Sequence, residues 1–223
     1  MIDRLIIVGA GGFARELATL LEVNNLAYVH KLRYFVNQEY LGPMVEGIVY
    51  RSMYRGSAIS EPDLREMDED HVPDVIFGVG DPNVREKMVN FMKNYLPSKR
   101  FVSHYIKDKS TFIGHNVEAG EGFIGCQNTV FTCDIKIGEH CHFNLNSTVG
   151  HGTLIGDFVT VSPGAKISGD VTIGNNVYIG SNAVIKEGVK VCGNVTIGAC
   201  AFVNKHITEP GTYVGVPAKR LTR

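Results

Sequence analysis

The chain has 223 residues, 44% of them hydrophobic, and 22 Lys and Arg against 23 Asp and Glu give a formal net charge of −1. That length holds one large or two modest domains with a real core, and the near-neutral balance excludes a global electrostatic footprint for nucleic acid or an anionic membrane. No apolar run approaches a membrane span, the opening LIIVGAGG is too short and Gly-rich for a signal peptide, and five cysteines without a CxxC pair suit a reducing cytoplasm better than a disulfide framework.

In chain order, residues 3–9 predict a buried strand and 13–23 an amphipathic helix, with a second strand through Tyr34–Val36. Glu61 to Asp74 carries seven acidic residues and reads as a solvated helix face plus loop. Asp74–Gly80 reads as another strand, followed by a helix from about Asn83 to Tyr95. This order predicts a small parallel α/β, Rossmann-like domain over residues 1–100, with Pro97–Lys99 at its boundary.

Its first loop, Gly9-Ala10-Gly11-Gly12-Phe13-Ala14, fits GxGxxA between strand and helix. Glycines permit a tight turn there, and free N–H groups at the helix N-terminus can meet a phosphate. An NAD site would want an acidic residue closing the second strand, where Asn37 and Gln38 stand with Glu39 next. A nucleotide-sugar diphosphate needs the same loop without that residue; a plain structural turn is the competing reading. Gly80 and Asp81 offer a second candidate edge at a strand end opening a helix.

From Ile113 the chain counts in sixes. Every sixth residue through Val203 is apolar at fifteen of sixteen positions, and only Gly125 departs. Four residues after each, small or β-branched side chains recur, as at Thr153, Val159, Ala165 and Val171. Neither a helix nor an alternating strand sustains a period of six, whereas a hexapeptide β-helix makes one flat prism face per hexad and one coil per eighteen residues. This domain is expected over 101–208, followed by a tail at 209–223 of turns and one short strand.

Of eight histidines, His140 and His142 point to alternate sides of one face, and His115 and His206 lie at opposite ends of the stack. No convergent triad emerges within one subunit, so no metal is expected. His151 stands apart. With coils stacked about 4.8 Å apart, Cys133 falls below it and Gly169 above, leaving space beside the imidazole and a backbone N–H able to act on an oxyanion. A surface histidine on a polar prism face is the alternative.

The unit GHGTLIGDFVTVSPGAKISGDVTIGNNVYIGSNAVI, the closing VGVPAKRL and the initial IIVGAGGFARE together resemble the sugar acyltransferases with an N-terminal nucleotide-binding domain. That group includes N-acetyltransferases of nucleotide-linked 4-amino-4,6-dideoxy sugars and sialic acid O-acetyltransferases. The resemblance implies a left-handed β-helix, a homotrimer with active sites between prisms, and acetyl-CoA as donor. It implies His151 as general base, Gly169 as oxyanion donor and Asn144 lining the pocket. Gly11, Gly12 and Phe13 match the loop that holds the nucleotide sugar. Asn37 and Gln38 stand where relatives often have an acidic pair, and with Gly80 and Asp81 at the second strand end they are expected to complete that site. Lys219 matches the end of the chain near CoA, and Thr160 stands where some relatives have a second histidine in the acetyl-CoA site; Gly169 and Gly180 are expected there too. The implied reaction is N-acetylation of a nucleotide-linked amino sugar, with O-acetylation and a non-catalytic hexapeptide binding protein as alternatives.

Many relatives have an acid directly after the histidine, where this chain has Gly152. One coil below Gly152 is Asp134, and one above is Asp170. Asp134 is expected to supply the carboxylate, since Asp170 adjoins Gly169 and would bring negative charge toward the oxyanion.

Overall fold

The computed structural model describes residues 5–9, 11–23, 32–35, 58–59, 74–95 and 105–222. They fall into two compact units, the first within residues 1–80 and 84–104 and the second comprising 81–83 and 105–223.

In the first unit, β1 (Leu5–Val8), β2 (Leu32–Phe35), β3 (Ala58–Ile59) and β4 (Asp74–Phe77) form one sheet in the order β3-β2-β1-β4. All its pairings are parallel, with Ile7 opposite Tyr34 on one side and Ile76 on the other. A central parallel strand is covered on both faces, hence the unbroken apolar run of β1. Helix α1 (Gly12–Val23) buries Ala14, Leu17, Ala18 and Leu21, the i, i+3, i+4, i+7 stripe that seats a helix on a sheet. Helix α2 (Pro82–Tyr95) buries Arg85, Met88, Val89 and Met92 on its own stripe. The observed elements match the expected ones within a few residues; the two-residue edge strand β3 carries no pattern of its own and was not expected. Asn37, Gln38, Pro97–Lys99 and all of the acidic stretch before Asp74 lie outside the described residues.

The second unit is a three-faced parallel β-helix. Its faces, here I, II and III, are represented in one coil by His142–Phe143, Thr148–Val149 and Leu154–Ile155. Each strand pairs in parallel with the strand eighteen residues on: His142 with Thr160, Thr148 with Lys166, Leu154 with Thr172. Face II has six rungs, from Phe112–Ile113 to Phe202–Val203. The hexad frame lines the core, where Phe131, Phe143, Val149, Val161, Ile179 and Ile185 are fully buried. The companion positions fill the inner corners, and Thr153, Val159, Ala165, Val171, Val177 and Ala183 are also fully buried. Gly125 breaks the frame because an aromatic ring takes its place: a Cβ there would lie 3.1 Å from the Phe123 ring.

Two expectations need correction. Pairing starts at Ile106–Lys107, one face before Ile113, since Ile106 already pairs with Ile124. The tail contains two strands: Gly211–Val214 adds in parallel to Val195–Ile197, and Lys219–Arg220 folds back antiparallel on it.

Sharp corners need left-handed backbone. Along the corner between faces II and III, that conformation falls on Asn116, Asp134, Gly152, Asp170 and Gly188. These are the residue types that tolerate it, which is why Asn, Asp and Gly recur at this spacing.

Candidate active site

The corner between faces II and III carries His151. His151 sits on it between Thr148–Val149 and Leu154–Ile155, with its side chain 58% exposed. Corner backbone bonds hold the stack: Gly152 N–H donates to Cys133 O (3.1 Å), and Asp170 N–H donates to His151 O (2.7 Å). Gly169 therefore stands one coil above His151, as the eighteen-residue count requires. A Cβ built on Gly169 would lie 2.5 Å from His151 Cε1 and 2.6 Å from Nε2. The imidazole thus lies against the bare Cα of Gly169, and among the described residues the Gly169 N–H has no hydrogen-bond acceptor.

The two candidate carboxylates part company here. Asp170 Oδ2 lies 3.9 Å from His151 Nδ1. Asp134 instead accepts a hydrogen bond from Asn116 Nδ2 at 2.8 Å. Burial, reinforced by the adjacent Asp134 carboxylate, pushes the Cys133 thiol pKa up. The expectation for Asp134 is corrected: its carboxylate is engaged one coil away from the imidazole. The physical reason is direction, because the Asp and Asn side chains at the corners reach toward the preceding coil. Asp157 Oδ1 accepts from Glu139 N–H at 2.8 Å, and Asn175 Oδ1 accepts from Asp157 N–H at 2.9 Å. Asp170 reaches down to the coil of His151; Asp134 reaches down to the coil of Asn116.

The remaining expected residues lie elsewhere on the prism. Asn144 is on the corner between faces I and II, buried, its Nδ2 donating to Val161 O at 3.1 Å. Gly180 is two coils above it on that corner, and Thr160 is buried on face I. Lys219 is exposed on the last strand. One prism brings together His151, Gly169 and Asp170, and leaves Asn144, Thr160 and Gly180 on surfaces pointing away from them. Among the described residues no three His, Cys, Asp or Glu side chains are grouped to hold a metal. His140 is buried and stacks on Phe158, ring centroids 5.3 Å apart.

In the first unit, β1 and β4 end side by side in glycine loops. Gly9 has φ +117°, which glycine alone takes without strain, and Gly78 lies so close to α1 that its Cβ would be 2.6 Å from Ala14 Cα. Gly9 and Ala14 thus serve the turn and the packing. Gly11 and Gly12 are exposed at the start of α1, and a Cβ on Gly11 would meet nothing within 4 Å. Phe13 is half-buried beside them. Asp81 caps α2, its Oδ1 accepting from Asn83 N–H at 2.9 Å. Arg85 belongs with this loop although no motif marks it. Its fully buried guanidinium donates to Val79 O (2.7 Å) and Gly80 O (3.3 Å), bracing the second loop from inside α2. An arginine on the first turn of a helix that follows a glycine loop is the pattern that could have found it.

Residues 4–92 match the PglD N-terminal domain. Residues 152–187 and 170–205 match the bacterial transferase hexapeptide (six repeats), and 134–168 match the hexapeptide repeat of succinyl-transferase. No protein of curated function matches the chain. Among solved structures, WeeI from Acinetobacter baumannii AYE is 28% identical, with a TM-score of 0.83 over 98% of this chain and 99% of that one. The acetyltransferase domain of PglB from Neisseria gonorrhoeae FA1090 is 23% identical, with a TM-score of 0.83 over 98% of this chain and 100% of that one. A mutant of perosamine N-acetyltransferase from Caulobacter crescentus, in complex with CoA and GDP-perosamine, is 19% identical, with a TM-score of 0.82 over 100% and 99%. The chain therefore joins a segment similar to the PglD N-terminal domain to a β-helix whose coils match bacterial transferase hexapeptide repeats.

Proposed function

We propose that the chain is an acetyltransferase that moves the acetyl group of acetyl-CoA to the amino group of a nucleotide-linked sugar. The observation that carries this is the exposed His151 imidazole lying against Gly169, whose N–H meets no acceptor among the described residues. The amine nitrogen attacks the thioester carbonyl; a C–N bond forms, the C–S bond breaks, and His151 Nε2 takes the proton the amine releases. Gly169 N–H receives the developing oxyanion. The imidazolium returns its proton to the departing sulfur, so CoA leaves as a thiol and the base is regenerated. Support for the nucleotide-sugar acceptor comes from the relative that binds CoA and GDP-perosamine, together with the glycine loops at two adjacent strand ends.

The working unit is a homotrimer in the cytoplasm. The expected site residues occupy a corner, the next corner and a face of one prism, so they meet only in a cleft where the corner of one subunit faces the flank of another. There Thr160, Gly180, Asn144 and the tail at Lys219 would border CoA. Five free cysteines fit a reducing compartment, and among the described residues no helix is long and apolar enough to cross a membrane.

The test is thiol release from acetyl-CoA against a panel of UDP-, dTDP- and GDP-linked amino sugars, run on protein whose sedimentation is followed at assay concentration. Turnover with one amino sugar by a trimer is expected. A silent panel, or an active monomer, overturns the reading. A hydroxyl acceptor is the second reading, favoured by Asp170 at 3.9 Å from His151, since a hydroxyl demands more of its base. Hydroxy sugars in the panel separate the two.

Gly11→Val should raise the acceptor KM at least about tenfold and leave that of acetyl-CoA nearly unchanged. Its Cβ finds open space, so the effect falls on a ligand approaching the loop and spares the fold. Equal effects on both substrates would contradict the assignment of this loop.

A further inference from the structure

We propose that Asp170 is the positioning residue for His151, and that Gly152 is side-chain-free in order to admit its carboxylate; the catalytic part of this rests on the reading of His151 as base. Gly152 and Asp170 occupy the same left-handed place in consecutive coils, at φ +66° and +55°. A Cβ on Gly152 would collide with Asp170 Oδ1, and would stand 3.2 Å from its Cγ. The Asp170 side chain therefore lies in the space that a side chain at 152 would occupy. From there its other oxygen, Oδ2, is 3.9 Å from His151 Nδ1. The acid missing after the histidine in sequence is present in space, delivered from the coil above.

The chemistry follows from which nitrogen it addresses. A carboxylate accepting from Nδ1–H fixes that tautomer and leaves the Nε2 lone pair free for the acceptor's proton. No proton passes to Asp170. The separation is longer than a hydrogen bond, and with both side chains more than half exposed each has room to turn into contact when the cleft is filled. Asp170 Oδ1 points down toward Gly152, one coil below Gly169.

Two variants and two readouts test this. Asp170→Asn keeps the left-handed corner, which Asn116 adopts in the same column. Asp170→Gly removes the side chain altogether, and Gly152 and Gly188 already take this place in the same column. Long-range ¹H–¹⁵N NMR of the full-length protein, needing no ligand, should show His151 mainly as the Nδ1–H tautomer. Asp170→Asn and Asp170→Gly should both shift it toward Nε2–H. With acetyl-CoA and a UDP-linked 4-amino-4,6-dideoxy sugar, both variants should lower kcat at least about tenfold with the acetyl-CoA KM held within about twofold. A wild-type tautomer or wild-type kcat in both variants overturns the proposal. If His151→Ala abolishes turnover while Asp170→Asn does not, the positioning role alone fails. If His151→Ala turns over normally, acetyl transfer at this corner fails, and the NMR readout still decides the pairing.

Discussion

His151→Ala is expected to lower kcat by about 10²–10⁴-fold, the usual contribution of a positioned general base. The acetyl-CoA KM should change little, because the imidazole acts on the attacking nucleophile. Stability should hold as well: the side chain is more than half exposed, and the corner bond it leaves behind runs from Asp170 N–H to the backbone carbonyl of residue 151. Stopped assays of thiol release with both substrates near saturation would measure it. Near-normal turnover would show that the amine arrives deprotonated and needs no base, or that the chemistry lies elsewhere.

Gly169→Ala should approach the same loss by a steric route. The three heavy atoms nearest to a Cβ at 169 all belong to the His151 ring, at 2.5, 2.6 and 3.0 Å. The new methyl group meets only the end of an exposed side chain, so the imidazole swings away and the fold survives. The Gly169 N–H is retained, which separates displacement of the base from loss of the oxyanion donor. Combined with His151→Ala, the substitution has nothing left to displace. The double variant should therefore be no slower than His151→Ala alone. Additive losses would place the effect of residue 169 on the oxyanion or on CoA.

The β-helix was legible because its rule is written in every coil. Inward residues recur each six, and those positions are the buried ones from Phe131 to Val203. The ends were less legible. Ile106 joins the first coil by pairing with Ile124 although the frame before Phe131 is broken at Gly125, where Phe123 fills the gap from two residues away. The site was half legible. Counting eighteens placed Gly169 over His151, but the count is symmetric between Asp134 and Asp170, and the charge argument that favoured Asp134 took no account of side-chain direction. The tie is broken by the direction in which a left-handed corner aims its side chain. That direction shows when Asn182 Oδ1 crowds Gly164 and Asp170 Oδ1 crowds Gly152, each one coil toward the N-terminus. In the first domain, Gly9 and Ala14 belong to the motif yet do architectural work, whereas Gly11 and Gly12 of the same motif are exposed.

The tail has a consequence for how copies of this molecule avoid one another. A stack of parallel coils ends in a row of unpaired backbone groups, and any other parallel coil could dock there and lengthen the stack into a filament. Here Gly211–Val214 occupies that last row on face I, and Lys219–Arg220 then reverses course beside it. A strand running the opposite way cannot be continued by the repeat that built the rest. Its exposed Lys219, and Arg220 clamped at 2.7 Å to Glu209, set charge on the rim. The chain thus carries its own chain terminator: the periodicity that makes growth easy is closed by one short segment of the wrong polarity.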